Sequence, residues 1–362
     1  MNPVSPERYA HLSKGINLAF WFWLPLEDLS DIQQRFSEDD FVYITELGFT
    51  YVRLPIDLSY LLDEDDPDLL NDIHLREVDM ALDRLTAHGL AVDIDIHSTA
   101  SPEAQSPIFS EKLENDPAFL ETFLTFWENF ARHLSSRDPE LVFLELLNEP
   151  VFENNPQDWP PILEQVAAAA RRGAPRHTLL VSGTWWSNID GLTRLEPLAD
   201  KNVIYYFHFY EPMTFTHQGA DWAGSDVLNL QNIPYPSSPE IVQSALTQTK
   251  TKHDRQTIRN YGEERWNAEK IHERIRLAAD WASQHNVRVI CSEFGAYSET
   301  IPPYERAVWI KDVRLALEAY DIGWAMWEYD GDFNLVARQQ TQTGTSILPV
   351  SGLLEALGLE SQ

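Results

Sequence analysis

The sequence predicts an α/β fold, a single (β/α)8 barrel occupying residues 1–362 as one catalytic-size unit. Three observations carry that expectation. Short β-branched and aromatic runs alternate with longer amphipathic segments eight times along the chain, the pattern of a parallel sheet with helical crossovers. The length of 362 residues accommodates one such barrel, a fold that commonly takes more than about 250 residues. A composition of 43% hydrophobic and 23% charged residues suffices to bury a large core.

Taken in order, the strand candidates are GINLAFWF (15–22), TYVRLPI (50–56), AVDIDIH (91–97), LVFLELLNE (141–149), TLLVSGTW (178–185), VIYYFHFY (203–210), VRVICSEFG (287–295) and GWAMWEY (323–329). Between them, residues 73–89 carry apolar side chains at helical spacing and stop at Gly89, while residues 116–134 begin with an Asp cap and a proline. Residues 264–286 and 303–320 have the same helical pattern beside a strand. Eight such units close as a TIM barrel. The connection at 211–263, rich in Pro, Ser, Gln and Thr, breaks the regular spacing. Because it follows strand six it belongs on the C-terminal face, as a substrate-covering loop or as a decorative insertion.

The formal charge of −30 disfavours nucleic acid and anionic membranes as partners and suits a neutral ligand. One cysteine, Cys291, excludes an internal disulfide and a thiolate metal cluster. The opening MNPVSPERYAHLSK has no basic-then-apolar leader pattern, which leaves location open between secretion after leader removal and the cytoplasm. The apolar run at 18–26 is far too short to span a membrane. The acidic run DEDDPD (63–68) lacks the glycine and distal glutamate of an EF-hand and is expected to be a solvated loop. No HExxH, phosphate loop or dinucleotide fingerprint is present, and neither metal nor cofactor is expected. Ser182 and Gly183 end strand five as tight-packing residues rather than as a nucleophile elbow.

Glycoside cleavage needs one carboxyl group to protonate the leaving oxygen and another to attack or to activate water. Two glutamates, Glu149 in LNEP and Glu293 in SEFG, end strands and would emerge on one rim. Alternation along strand three puts Asp93, Asp95 and His97 on one face, and strand six aligns Tyr206, His208 and Tyr210. On strand eight it aligns Ala325, Trp327 and Tyr329. Polar inward faces are costly unless used.

Together these residues resemble glycoside hydrolase family 5, the cellulase-like (β/α)8 enzymes, over nearly the whole chain. The family pattern is met by Arg53 on strand two, His97 on strand three, Asn148 and Glu149 on strand four, His208 and Tyr210 on strand six, Glu293 on strand seven and Trp327 on strand eight. Ser98 departs from it, standing where many relatives carry another polar group.

The resemblance implies a retaining hydrolase needing no cofactor, with Glu293 as nucleophile and Glu149 as general acid/base. It also implies that Arg53 and Tyr210 keep Glu293 charged, that Asn148 holds the sugar 2-hydroxyl, and that His97 and His208 position hydroxyls and the acid. Trp327 would face the sugar beside the nucleophile. Of Trp21, Trp23, Trp185, Trp186 and Trp222, about half are expected to face substrate, Trp185 or Trp186 and Trp222 first, with Trp21 and Trp23 sharing a face. The expected partner is a β-linked oligo- or polysaccharide, cut internally at β-1,4 linkages by a monomer. Mannan, β-1,3-glucan and exo-acting β-glucosidase activities remain open, as does a non-catalytic sugar-binding role.

Overall fold

The computed structural model describes residues 3–23, 29–97, 106–341 and 344–359. Its center is a closed barrel of eight parallel strands, β1 (Lys14–Asn17), β2 (Tyr51–Asp57), β3 (Ala91–His97), β4 (Val142–Glu145), β5 (Thr178–Val181), β6 (Val203–Phe209), β7 (Arg288–Phe294) and β8 (Gly323–Met326). They pair in chain order, and β8 closes on β1.

The crossover helices form where local chemistry and apolar spacing agree. In Pro117–Leu134, Asp116 caps the backbone N–H groups of Ala118 and Phe119, Pro117 starts the helix, and Phe123, Phe126, Trp127, Phe130 and Leu134 are buried along one face. In Ala268–His285, Asn267 caps Lys270 and Asn286 leaves the helix in the left-handed region. The largest apolar cluster fills the layer between strands and helices. A second cluster, with Tyr51, Ala91, Phe143, Ile204, Tyr206 and Ala325, fills the inside of the barrel. Tyr9 stoppers its N-terminal end, with its hydroxyl bonded to the carbonyls of Val289 and Asp321.

Four strands are shorter than their sequence patterns. β1 ends at Asn17, and beyond it Phe22 makes an isolated bridge to Ile56. β4, β5 and β8 end at Glu145, Val181 and Met326. In each case the ladder runs out before the apolar pattern does, and the chain turns onto the rim. Tyr329 accordingly leaves the expected face and donates its hydroxyl hydrogen to Asp40.

The segment 211–263 is not an open loop. It contains the helices Met213–Thr216, Gln243–Gln248 and Lys252–Glu264, and the next crossover helix begins at Ala268. Lys252–Glu264 is capped by Thr251 but is mostly polar and buries few apolar residues, chiefly Ile258 and Tyr261, so its composition does not set it apart from a polar loop. The acidic run at 63–68 is a surface loop whose aspartates cap their own backbone, Asp63 at Asp65 and Asp66 at Asp68. Among the described residues no helix is long and apolar enough to cross a membrane.

Candidate active site

Strand register sets polar residues beside one another on neighbouring strands. β1 and β2 align Asn17 with Arg53, β2 and β3 align Asp57 with His97, and β3 and β4 align Asp95 with Glu145. Between β6 and β7 the register shifts after Phe207, so that His208 stands opposite Glu293. Such an irregularity re-aims a side chain.

Beyond β4 the chain carries Glu149 at φ 45°, a left-handed conformation costly for a residue with a Cβ and often found where a site holds it in place. The hydroxyl of Tyr206 braces this turn through the Leu147 carbonyl at 2.5 Å, and Ser182 Oγ donates to the Tyr206 carbonyl at 2.8 Å. A Cβ on Gly295 would sit 2.2 Å from the Trp327 carbonyl, so only glycine lets the chains after β7 and β8 approach there. Gly183 packs equally close to the Gly191 backbone, as its tight-packing role requires.

Glu149, His208 and Glu293 each contribute one polar atom to a group lying within 4.8 Å of one another. His208 Nδ1 is 2.9 Å from Glu149 Oε1 and 3.5 Å from Glu293 Oε2. Glu293 also accepts from Arg53 Nη1 at 2.5 Å and from the Tyr210 hydroxyl at 2.8 Å. No such cation is bonded to Glu149 among the described residues.

That asymmetry separates the two carboxyl groups. Burial pushes both up from the ordinary carboxylate range. In Glu149 the charge of Glu293 pushes further the same way, whereas in Glu293 the charge of Arg53 and the Tyr210 hydrogen bond pull back. Glu149 is therefore raised the further of the two, the ordering that an acid and a charged partner in one site require. Burial and the Arg53 charge keep His97, at about 3, and His208 neutral. His97 Nδ1 donates to Asp95, and its ring lies against Trp23 and Trp327, with centroids 4.6 and 6.0 Å away.

Among the sequence-selected residues, the structure therefore gathers Arg53, His97, Asn148, Glu149, His208, Tyr210, Glu293 and Trp327 at the C-terminal mouth. The tryptophans divide differently than expected. Trp21 is buried on Phe36 and Phe41 with its ring N–H bonded to Ile32, away from Trp23, because β1 has ended and strand alternation no longer applies. Trp185 packs under the Arg194 guanidinium at 4.7 Å, and Trp186 is 40% exposed beside it. Trp222 is 58% exposed, with its ring against His217 and Phe333. Ser98 lies outside the described residues.

Several site residues were not singled out from sequence. Glu145 pairs with Arg53, and Asn17 accepts from it at 3.0 Å. Glu145 shares strand parity with Glu149, a signal that was present in LELLNE. Phe333 packs near Tyr210 and His217 from a loop after β8, where no periodicity marks it.

Next to Trp327, Glu328 is buried, and burial pushes its carboxyl up to about 8. A folded-state value above the ordinary one favours folding fully below about pH 4.5, a contribution lost as pH rises through about 8. Glu328→Gln is expected to raise Tm by about 3 °C or more at pH 9 and hardly at all at pH 4, read by thermal unfolding at both.

An eight-stranded parallel barrel carrying two adjacent carboxyl groups on its C-terminal rim has the arrangement that glycoside hydrolysis uses. The family model "Cellulase (glycosyl hydrolase family 5)" matches residues 22–332, a span that includes every gathered residue above. The chain belongs to that family. It is 27% identical to Endoglucanase 3 of Fibrobacter succinogenes over 100% of its own length, but spans only 55% of that relative. It is 27% identical to Endoglucanase C of Acetivibrio thermocellus, covering 87% of this chain and 90% of the other. Endoglucanase Cel5A of Thermotoga maritima superposes with a TM-score of 0.74 at 26% identity, over 98% of this chain and 100% of its own.

Proposed function

We propose that the chain, acting as one catalytic unit and as a monomer, cleaves β-1,4-glucan internally by double displacement. The observation that carries this reading is the Glu149–His208–Glu293 group, with one polar atom of each within 4.8 Å of the others, and with Arg53 and Tyr210 bonded to Glu293 and not to Glu149. Retaining enzymes hold their carboxyl groups roughly 5 to 5.5 Å apart, and inverting enzymes hold them wider.

In this reading Glu293 attacks the anomeric carbon while the proton on Glu149 passes to the departing glycosidic oxygen, whose bond to that carbon breaks. Glu149, now ionised, takes a proton from water, whose oxygen replaces Glu293 and restores both carboxyl states. Asn148 Oδ1 is occupied by Arg53 Nη2 at 2.9 Å, which turns the amide N–H groups toward a sugar 2-hydroxyl. His97, held by Asp95 through Nδ1, presents its other edge to the mouth. Trp327 and Trp23 form the apolar wall beside them, and Trp222 offers a more distant sugar platform. Trp185 and Trp186 are the weaker platforms, the first being covered by Arg194.

The names of the endoglucanase relatives support the glucan substrate. A relative named as a probable glucan 1,3-beta-glucosidase and a Cel5A structure with mannotriose keep two other glycans in the test. Reducing-end release is measured on soluble β-1,4-glucan, mixed-linkage glucan, mannan and laminarin. The expected result is fastest cleavage of β-1,4-glucan with a rapid fall in viscosity. Laminarin or mannan as best substrate would reverse the assignment, and release of single sugars without a viscosity drop would make the enzyme exo-acting.

The profile of kcat/KM against pH is expected to be bell-shaped. Activity falls as acid protonates Glu293 and as base removes the Glu149 proton, and the raised Glu149 places the basic limb above the ordinary carboxyl range. Glu149→Gln is expected to abolish the basic limb of whatever activity remains on an aryl glycoside. Survival of that limb would assign it to another group.

A further inference from the structure

The Tyr210 hydroxyl reaches Glu293 from a chain that has already left its strand. β6 ends at Phe209, which pairs with Phe294, so the carbonyl of Tyr210 lies past the ladder and needs a donor from elsewhere. Thr216, wholly buried at the end of Met213–Thr216, supplies it. Its hydroxyl donates to the Tyr210 carbonyl at 2.6 Å, well inside its 3.4 Å approach to the Pro212 carbonyl. With that hydrogen committed, the hydroxyl oxygen accepts from His217 Nδ1 at 2.9 Å. The same residue also binds the chain that carries Glu293, because the Thr216 carbonyl accepts from the backbone N–H of Tyr297 at 2.8 Å. Arg306 Nε holds that chain as well, donating to the Ala296 carbonyl at 2.8 Å.

Thr216 thus spans the two chains whose side chains meet in the Tyr210–Glu293 hydrogen bond, 2.8 Å long. The rings of His217 and Phe333 stand edge-on to the Tyr210 ring, with centroids 5.0 and 5.9 Å away, which limits its rotation once its backbone is held. We propose that Thr216 is a positioning residue for the reaction: by tying the Tyr210 backbone to the chain after β7, it keeps the Tyr210 hydroxyl aimed at Glu293 and helps to hold that carboxylate charged. This rests on Glu293 being the nucleophile.

Glu293 is faced by Arg53 from β2, by Asp95 and His97 from β3, by Glu149 beyond β4, and by His208 and Tyr210 from β6 and its end. Burial pushes its carboxyl up, and the Arg53 charge and the Tyr210 hydrogen bond draw it back. Loss of a donor to the charged form raises the pKa of a carboxyl group, so a loosened Tyr210 moves the acid limb of kcat/KM to higher pH. His217, bonded to Thr216, is another titrating group at this end, lowered by burial to about 4.

The acid limb, measured on the full chain in a double-mutant cycle, separates these routes. Tyr210→Phe is expected to move the limb up by about 0.5 to 1 unit. Thr216→Val keeps the outline of the side chain without its hydroxyl, and is expected to move the limb up by about 0.3 to 0.5 unit, roughly a 2- to 3-fold loss of kcat/KM below it. Thr216→Ser restores the donor and is expected to hold the limb within about 0.1 unit. In the Tyr210→Phe background, Thr216→Val is expected to add no further shift. An unmoved limb in Thr216→Val or Tyr210→Phe means that the hydroxyl only fills space or that Tyr210 does not govern Glu293. A shift that persists in the Tyr210→Phe background runs through His217 or through general loosening. A serine variant shifted as far as the valine one assigns the effect to the methyl group. Each of these overturns the proposal. If the valine variant does not fold, Thr216→Ala takes its place in the cycle, and failure of both to fold makes the hydroxyl a requirement of the fold and overturns it too. Failure of the nucleophile assignment is read separately, as turnover surviving in Glu293→Gln.

Discussion

Glu293→Gln is expected to lower turnover on β-1,4-glucan by about 10⁴-fold or more while leaving Tm within about 2 °C. The amide keeps the shape of the carboxylate: its oxygen can still accept from Arg53, and its N–H can donate to the Tyr210 hydroxyl oxygen, where Glu293 accepts from that hydroxyl in the native site. It cannot attack the anomeric carbon. Stability changes little because Arg53 retains Asp95 and Glu145 as counter-charges, so no buried cation is stranded. Glu149→Gln is expected to cost about 10²- to 10⁴-fold on polymer, and less for the first step on aryl glycosides whose leaving group needs no proton. Steady-state rates beside thermal unfolding of the same preparations check both, and near-native turnover in either variant would show that glutamate is misassigned.

Replacing Arg53 has the largest expected effect on stability. Arg53→Met leaves Asp95, Glu145 and Glu293 around an uncharged stem inside the barrel, and breaking a buried pair in this way costs about 3 to 5 kcal/mol. Loss of the cation raises the folded-state pKa values of these carboxyl groups above their unfolded ones. Stability is then preserved at low pH and lost as pH rises through the raised values, so the deficit is expected to be larger at pH 8 than at pH 5. Arg53→Lys keeps the charge but replaces a planar fork by one point donor, and is expected to recover part of the stability and little of the activity. Urea unfolding at the two pH values measures the first effect. A deficit independent of pH would mean that packing, and not charge, accounts for the loss.

Much of this site is legible from strand parity and local motifs. His97, His208, Tyr210 and Glu293 each sit where a short alternating run predicts an inward side chain at the C-terminal end. Parity fails where a strand stops early. Trp21 and Trp23 look equivalent in an alternating run, yet one is buried beside Phe36 and the other lies against His97, because β1 ends at Asn17. Tyr329 misleads for the same reason after β8. Lys252–Glu264 is hidden in 211–263 because it is mostly polar, and a stretch with so few apolar residues has the composition of a loop.

By itself the sequence determined the barrel, the rim that carries the chemistry, and the eight residues gathered there, because strand period and strand-end motifs are local properties of the chain. Only the tertiary structure decided how those residues divide their charges. Closure of the barrel brings one arginine on β2 against Asp95 on β3, Glu145 on β4 and Glu293 on β7 at once, and the shift between β6 and β7 sets His208 opposite Glu293. Which glutamate is the better placed to keep a proton follows from those contacts between distant parts of the chain, and a pattern read one strand at a time does not contain them.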